Sequence, residues 1–336
     1  MTQPTQRQMK LLFVTNSRIG DAVLSTGLLD HALEHYAGIG VTVVCGTVAA
    51  PLFEGVPGLE HIHVIRKKPW GGHWWEAYRR LKGTRWDIVM DLRGSPLPML
   101  LRPRQTLRPR VHAAAPEHRV RRIGSTLGDK GFKHPPAPRL WLRPEDEAAA
   151  DSALAGSGDA PLLVLAPTAN WVAKVWPADR FVDLARRLTA PDGALPGARV
   201  AVVAGPDERD AALPVLEALA GPGTLDLVGR LHLLAVASVF ARCALFVGND
   251  SGLMHIAAAS GAPTIGLFGP SRDEHYAPWG PRGRSVRTDK PYEELFPPGL
   301  KPGKVTASLM DSLPVDRVEE TARTLLREVA AARPRT

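Results

Sequence analysis

Between residues 162 and 268 the chain alternates short apolar runs with stretches of helical spacing, and few architectures accept that pattern. The apolar runs fall at 162–165, 199–204, 225–228, 244–247 and 264–268, and the helical stretches at 179–188, 207–220, 231–242 and 251–260. Runs without polar alternation predict strands buried on both faces. With helices between them they predict a parallel sheet, whose ligands bind beyond the carboxyl ends of the strands.

The first half reads similarly but less cleanly. Strands are predicted at 10–15, 41–45, 61–65 and 87–92, and helices at 22–36 and 74–82. Residues 96–118 dissolve into Pro, Arg and His, an irregular connection, and 121–124 are read as returning to the sheet. A helix is expected at 144–155, with Glu145, Asp146 and Glu147 near its start, and the glycine-rich 156–159 as the hinge. A length of 336 residues then suggests two domains, 1–156 and 159–314, with a closing helix in 315–336 that packs back on the first.

No apolar run reaches the ~20 residues that span a bilayer. Met1 to Lys10 is polar and lacks a signal-peptide core, so a cytoplasmic protein is expected. Cys45 and Cys243 lie in apolar surroundings and are read as buried free thiols, and no metal-ligand spacing is present. The net charge of +8 is carried by residues 1–158, with 22 Lys and Arg against 14 Asp and Glu; residues 159–336 balance at 20 each. A basic half has two readings: a solvated surface, or a face for an anionic partner.

Four segments fall at predicted strand ends. Ser17-Arg18-Ile19-Gly20-Asp21 precedes a helix; Asp21 is either a cap or a carboxylate able to take a proton from a hydroxyl. In the loop 167–177, Trp171 and Trp176 flank Lys174, either solvated or a point charge for a phosphate. Glu208 is a first-turn acid or a ribose acceptor. Asp250-Ser251-Gly252 starts a helix, where an N-cap or a phosphate site fits, and His255 one turn on is a core residue or a phosphate contact.

Together these residues resemble glycosyltransferase family 9, the ADP-heptose:lipopolysaccharide heptosyltransferases. Ser17 to Val23 is similar to the family's Ser-x-Ile-Gly-Asp signature. Pro167-Thr168-Ala169 through Lys174-Val175-Trp176-Pro177 is similar to its Pro-Gly-Ala…Lys-x-Trp-Pro loop, and Gly248 to His255 to its Asn-Asp-Ser-Gly-x-Met-His block. Asp87 to Gly94 fits its Asp-Leu-x-Gly strand end. The chain departs at Thr15, where the family often has Arg, at Thr168, where Gly is usual, and in 291–313, which lack the cysteines many members carry.

The resemblance implies an α/β protein of the GT-B fold, two Rossmann-like lobes facing across a cleft. It implies Asp21 as general base, and Thr168, Lys174, Glu208, Asp250, Ser251, Gly252 and His255 as donor contacts. Ser17, Arg18, Gly20 and Arg93 would meet an anionic glycolipid acceptor. The implied reaction is inverting and metal-independent, with no cofactor beyond the nucleotide sugar, with ADP-heptose as the donor implied first. Transient contact with the inner membrane surface and no nucleic-acid partner are implied as well. Two other readings stand beside it: another GT-B enzyme such as a nucleotide-sugar epimerase, and a non-catalytic polyanion- or membrane-binding protein.

Overall fold

A computed structural model describes residues 7–110, 117–156, 158, 160–301 and 304–332. The chain divides into two compact units, Met1–Trp141 and Leu142–Thr336. The first runs β1 (Lys10–Val14), α1 (Ile19–Val23), α2 (Thr26–His35), β2 (Gly40–Gly46), β3 (Leu59–Ile65), α3 (Gly72–Leu81) and β4 (Ile88–Asp91). It continues through α4 (Leu97–Leu101), β5 (Gln105–Leu107), α5 (Arg119–Gly124) and α6 (Gly128–Lys133). Its sheet has the order β3-β2-β1-β4-β5, every pair parallel. Leu12 of β1 stands opposite Thr42 on one side and Val89 on the other. Leu12, Val14, Val44, Trp86 and Val89 form a core against Ala77 and Leu81 of α3.

The second unit opens with α7 (Pro144–Leu154), β6 (Leu162–Ala166), α8 (Ala178–Thr189), β7 (Arg199–Val202), α9 (Arg209–Ala218), β8 (Thr224–Asp226) and α10 (Leu233–Ala241). It closes with β9 (Leu245–Asn249), α11 (Gly252–Ala259), β10 (Thr264–Phe268), α12 (Asp273–Tyr276), β11 (Gly283–Arg287), α13 (Tyr292–Leu295) and α14 (Val315–Ala331). Its parallel sheet has the order β11-β10-β9-β6-β7-β8. Trp176, Phe181, Leu163, Leu165 and Leu245 are buried together with Val318, Ala322 and Leu325 of α14.

Each sheet reverses its strand order beside its first strand, between β1 and β4 and between β6 and β9. Loops leaving the two strands at such a point diverge to opposite faces and open a crevice at the strands' carboxyl ends.

Several expectations are corrected. Residues 121–124 form no strand: they belong to α5, whose Val120 and Ile123 turn inward three residues apart. The irregular stretch 96–118 contains α4 and the edge strand β5. The helix expected at 22–36 breaks at Leu24–Ser25, because the Ser25 hydroxyl donates to the Ala22 carbonyl at 2.7 Å. The units divide after Trp141, not at 156–159, and α7 packs against α10 through His232 Nε2 on Asp146 at 3.0 Å. The closing helix α14 lies on α8 and β11 of its own unit, where the sequence reading placed it on the first domain.

Candidate functional site

In the first unit the loop after β1 meets the loop after β4. Thr15 is fully buried, its hydroxyl 2.7 Å from that of Ser25, which fixes where the chain leaves the strand. Gly46, at the end of β2, is pressed against this loop: a Cβ there would stand 2.5 Å from the Ser17 Cβ. Arg93 Nη1 donates to Ser17 Oγ at 3.1 Å, and its guanidinium lies 5.2 Å from the Trp74 ring centre. Burial pulls the Arg93 guanidinium below the usual arginine range, against the opposite pull of Asp91 and Cys45. Arg18 is exposed and is the N-cap residue of α1; Gly20 lies in the helix's first turn.

Asp21 also lies in that turn, and its Oδ1 has no hydrogen-bond partner among the described residues. Its Oδ1 is 3.4 Å from Arg119 Nε of α5, with both atoms buried and neither in hydrogen-bond geometry. Arg119 also lines a cavity of about 190 Å³ with Asp91, Gly94, Arg108 and Arg122. Asp91 is wholly buried and accepts from Arg108 Nε and Nη2 at 3.1 and 2.8 Å. The first unit therefore brings Ser17 and Arg93 into contact and gives Asp21 a cationic neighbour. Arg119 and Arg108 were missed from the sequence: Arg108 lay in the segment read as irregular, and Arg119 between that segment and the one read as strand.

In the second unit the loops after β6 and β9 meet at the switch point. Residues Val172–Lys174 form one 3-10 turn, and Lys174 Nζ contacts Asp250 Oδ2. The loop is held from three sides. The Trp176 amide donates to Asn249 Oδ1 at 3.0 Å, the buried Trp176 indole donates to the Leu313 carbonyl at 2.9 Å, and Leu309 N donates to the Ala173 carbonyl at 3.0 Å. The Trp176 ring stands edge-on to Phe181 at 5.0 Å. Asn249 was missed as a site-building residue, though it immediately precedes Asp250.

Thr168, nearly buried, donates its hydroxyl to Glu208 Oε2 at 2.9 Å, and the Gly205 amide donates to the same oxygen at 2.8 Å. Glu208 thus folds back to close its own turn and links the ends of β6 and β7. Asp250 is held by its amide on the Leu267 carbonyl at 3.1 Å. Ser251 takes an extended backbone ahead of α11 but makes no side-chain cap, so Gly252 opens the helix with the first-turn amides uncapped by that hydroxyl. His255 is buried, its ring 6.4 Å from Tyr276. A Cβ on Gly248 would stand 2.9 Å from that of Ala166, so glycine lets β9 close on β6 where the crevice begins.

The second unit therefore gathers Thr168 with Glu208, and Lys174 with Asp250, at neighbouring strand ends. A lysine and helix-terminal amides suit a diphosphate, and a carboxylate suits a sugar hydroxyl. Among the described residues no three His, Cys, Asp or Glu side chains converge as metal ligands would. No helix among them is long and apolar enough to cross a membrane.

The family model described as glycosyltransferase family 9 (heptosyltransferase) matches residues 105–296. The chain is 29% identical over 221 residues to lipopolysaccharide heptosyltransferase 2 of Salmonella typhimurium, a match covering 62% of each protein. It thus spans about three-fifths of the length of that curated relative. Among solved structures, a family 9 glycosyl transferase from Veillonella parvula superposes with a TM-score of 0.76 at 20% identity, over 95% of this chain and 97% of that one. The ADP-heptose lps heptosyltransferase II of E. coli superposes at 0.75 with 21% identity, over 96% and 100%. At these identities the superpositions establish the fold, α/β of the GT-B type.

Proposed function

Because the chain belongs to glycosyltransferase family 9 (heptosyltransferase), we propose that it transfers a heptose, or a related sugar, from ADP-heptose or another nucleotide sugar to an anionic glycan. The acceptor proposed is the inner core of lipopolysaccharide or a glycolipid like it. The observation that carries this reading is the state of Asp21. It sits beyond the carboxyl end of the central strand β1, its Oδ1 has no hydrogen-bond partner among the described residues, and it pairs only with Arg119 among them. A carboxylate so placed can accept a proton from a hydroxyl in the transition state.

In the proposed reaction an acceptor hydroxyl attacks the anomeric carbon of the donor sugar. Asp21 takes the hydroxyl proton as the new C–O bond forms. The bond from the anomeric carbon to the diphosphate breaks, and its electrons leave with the nucleoside diphosphate. Lys174 and the amides around Gly252 hold the growing negative charge. Attack from the face opposite the leaving group inverts the anomeric centre. Glu208, with Thr168, is assigned to the ribose, and Asp250, Ser251 and His255 to the sugar and diphosphate. Ser17, Arg18, Gly20 and Arg93 are assigned to the acceptor. No cofactor is proposed beyond the nucleotide sugar.

We assign the protein to the cytoplasm, in peripheral contact with the inner face of the inner membrane, where a glycolipid acceptor would be presented. The excess of positive charge in residues 1–158 supports that assignment. The test is ADP release from ADP-heptose with and without a deacylated inner-core acceptor, in parallel with UDP- and GDP-sugars. Acceptor-dependent release from the ADP sugar alone is the expected result. Release from none of the donors, with the protein folded, would overturn the reading.

A further inference from the structure

Trp70 is fully exposed, and its backbone takes φ 55° and ψ 20°, the left-handed region that bulky residues avoid. Gly71 follows at φ 72°, so two consecutive left-handed residues turn the chain out of β3 and into α3. Strain of this kind persists where surrounding structure enforces it, and it clusters at functional positions. The turn is fastened to the helix behind it: the Lys68 amide donates to His73 Nδ1 at 3.3 Å, and the Lys68 ammonium pairs with Glu76.

The helix itself has two unlike faces. His73, Ala77 and Leu81 point into the core at intervals of four residues. Trp75 points away and remains 57% exposed, its ring 5.2 Å from that of Tyr78. Val64, at the end of the edge strand β3, is exposed just before this turn. Residues 66–85 carry seven Lys and Arg and one acidic residue, and Arg66, Lys67, Arg79 and Lys82 are exposed.

Large amphipathic indoles standing among basic side chains, on a helix whose other face is already buried, match the headgroup zone of an anionic bilayer. Indole rings prefer that zone, and Lys and Arg beside them are drawn to anionic headgroups. A protein partner would bury such rings in a complementary pocket and would not call for this density of like charge.

We propose that the tip 66–70 and the outer face of α3 form a docking surface for a membrane rich in anionic phospholipid, with Trp70 and Trp75 inserted at headgroup depth. This rests on the peripheral membrane contact proposed above but not on the transferase chemistry. The arrangement would hold the first unit against the bilayer by a few side chains that release when charge is screened.

The test is co-sedimentation of the full chain with vesicles of phosphatidylethanolamine and phosphatidylglycerol, and with phosphatidylcholine vesicles as reference. Binding to the anionic vesicles is expected, with at least about a tenfold loss of partitioning in Trp70→Ser/Trp75→Ser and a comparable loss in 0.5 M salt. Bromine-labelled lipid should quench tryptophan fluorescence in the wild type and much less in that variant. Both side chains are exposed, so the variant should keep its circular dichroism and its transfer to a water-soluble acceptor. Absence of vesicle binding, equal binding by the variant, or a lipid-free dimer abolished by it would overturn the proposal. Loss of soluble-acceptor transfer with vesicle binding intact would do so too, by giving the patch to acceptor recognition. Vesicle binding without transfer from any nucleotide sugar would sink the transferase reading and leave this one standing.

Discussion

Asp21 and Arg119 hold their charges 3.4 Å apart without forming a hydrogen bond. The guanidinium neighbours the carboxylate by charge without a hydrogen bond to Oδ1, and the proposed reaction has this carboxylate take the acceptor proton. Asp21→Ala should therefore lower transfer by roughly a thousandfold, within the range for loss of a general base. Nucleotide affinity, measured by calorimetry, should stay within about twofold, since the donor contacts are assigned to other residues. Near-normal transfer by the variant would remove Asp21 from the mechanism. Arg119→Ala should lower turnover less, and Arg119→Lys should recover part of that loss because a cation returns.

Lys174 pairs with Asp250 and is assigned in the proposed reaction to the donor diphosphate, and the two can be separated. Removing it leaves the Asp250 carboxylate, 7% exposed, without its counter-charge, which costs folding stability. Lys174→Ala should lower the melting temperature and weaken nucleotide binding by about ten- to a hundredfold, the worth of a charged contact of roughly 1.5–3 kcal/mol. Adding Asp250→Asn should restore much of the melting temperature and none of the affinity. If the double variant binds nucleotide like the wild type, the lysine does not hold the diphosphate.

Glu208 accepts from both Thr168 and Gly205 through one oxygen. Glu208→Gln keeps an acceptor there, so thermal unfolding should change little, while affinity for a ribonucleotide should fall. Glu208→Ala removes the acceptor and should lose about 1 kcal/mol of stability in denaturant titration. Equal nucleotide affinity in all three proteins would confine Glu208 to its turn.

Burial pushes the thiols of Cys45 and Cys243 each up to about 12. Neither should react with a thiol reagent at neutral pH while the protein is folded, because the thiolate is the nucleophile. Both should label as denaturant unfolds the chain. Fast labelling of either in the native protein would contradict its burial.

The carboxyl of Asp146 is raised by burial, but hydrogen bonds and charge from Arg143, together with His232, outweigh that and hold it below the usual carboxylate range. A carboxyl lowered on folding contributes stability that is complete above its unfolded value near 3.9 and fades as pH falls through its folded value. Melting curves of Asp146→Asn and wild type should therefore differ most near neutral pH and converge only in acid strong enough to protonate the folded carboxyl. A gap that persists unchanged in acid would mean the effect is one of packing.

The second sheet was legible because its central strands are covered on both faces and read as unbroken apolar runs; β10 was bounded to the residue. Of the edge strands, β3 and β8 were read at 61–65 and 225–228, but β5 and β11 were not. Gln105–Leu107 and Gly283–Arg287 carry two and three polar or charged residues where apolar ones would have marked them, since an edge buries only one side. The arginine-rich α5 hid for a similar reason, with Val120 and Ile123 as its inward-facing apolar residues. Asp21, Lys174 and Asp250 were singled out in the sequence because turn residues set them at strand ends. Arg119, which pairs with Asp21, and Asn249, which accepts from the Trp176 amide, were harder, since contacts across the fold leave no local spacing.

The bond from the Trp176 amide to Asn249 joins the segment carrying Lys174 to the strand that delivers Asp250. The two cannot be inherited or engineered separately. A chimera that grafts a foreign lysine loop here without its matching asparagine would strand an amide in dry protein, and the pairing of Lys174 with Asp250 would slacken even with both side chains in place.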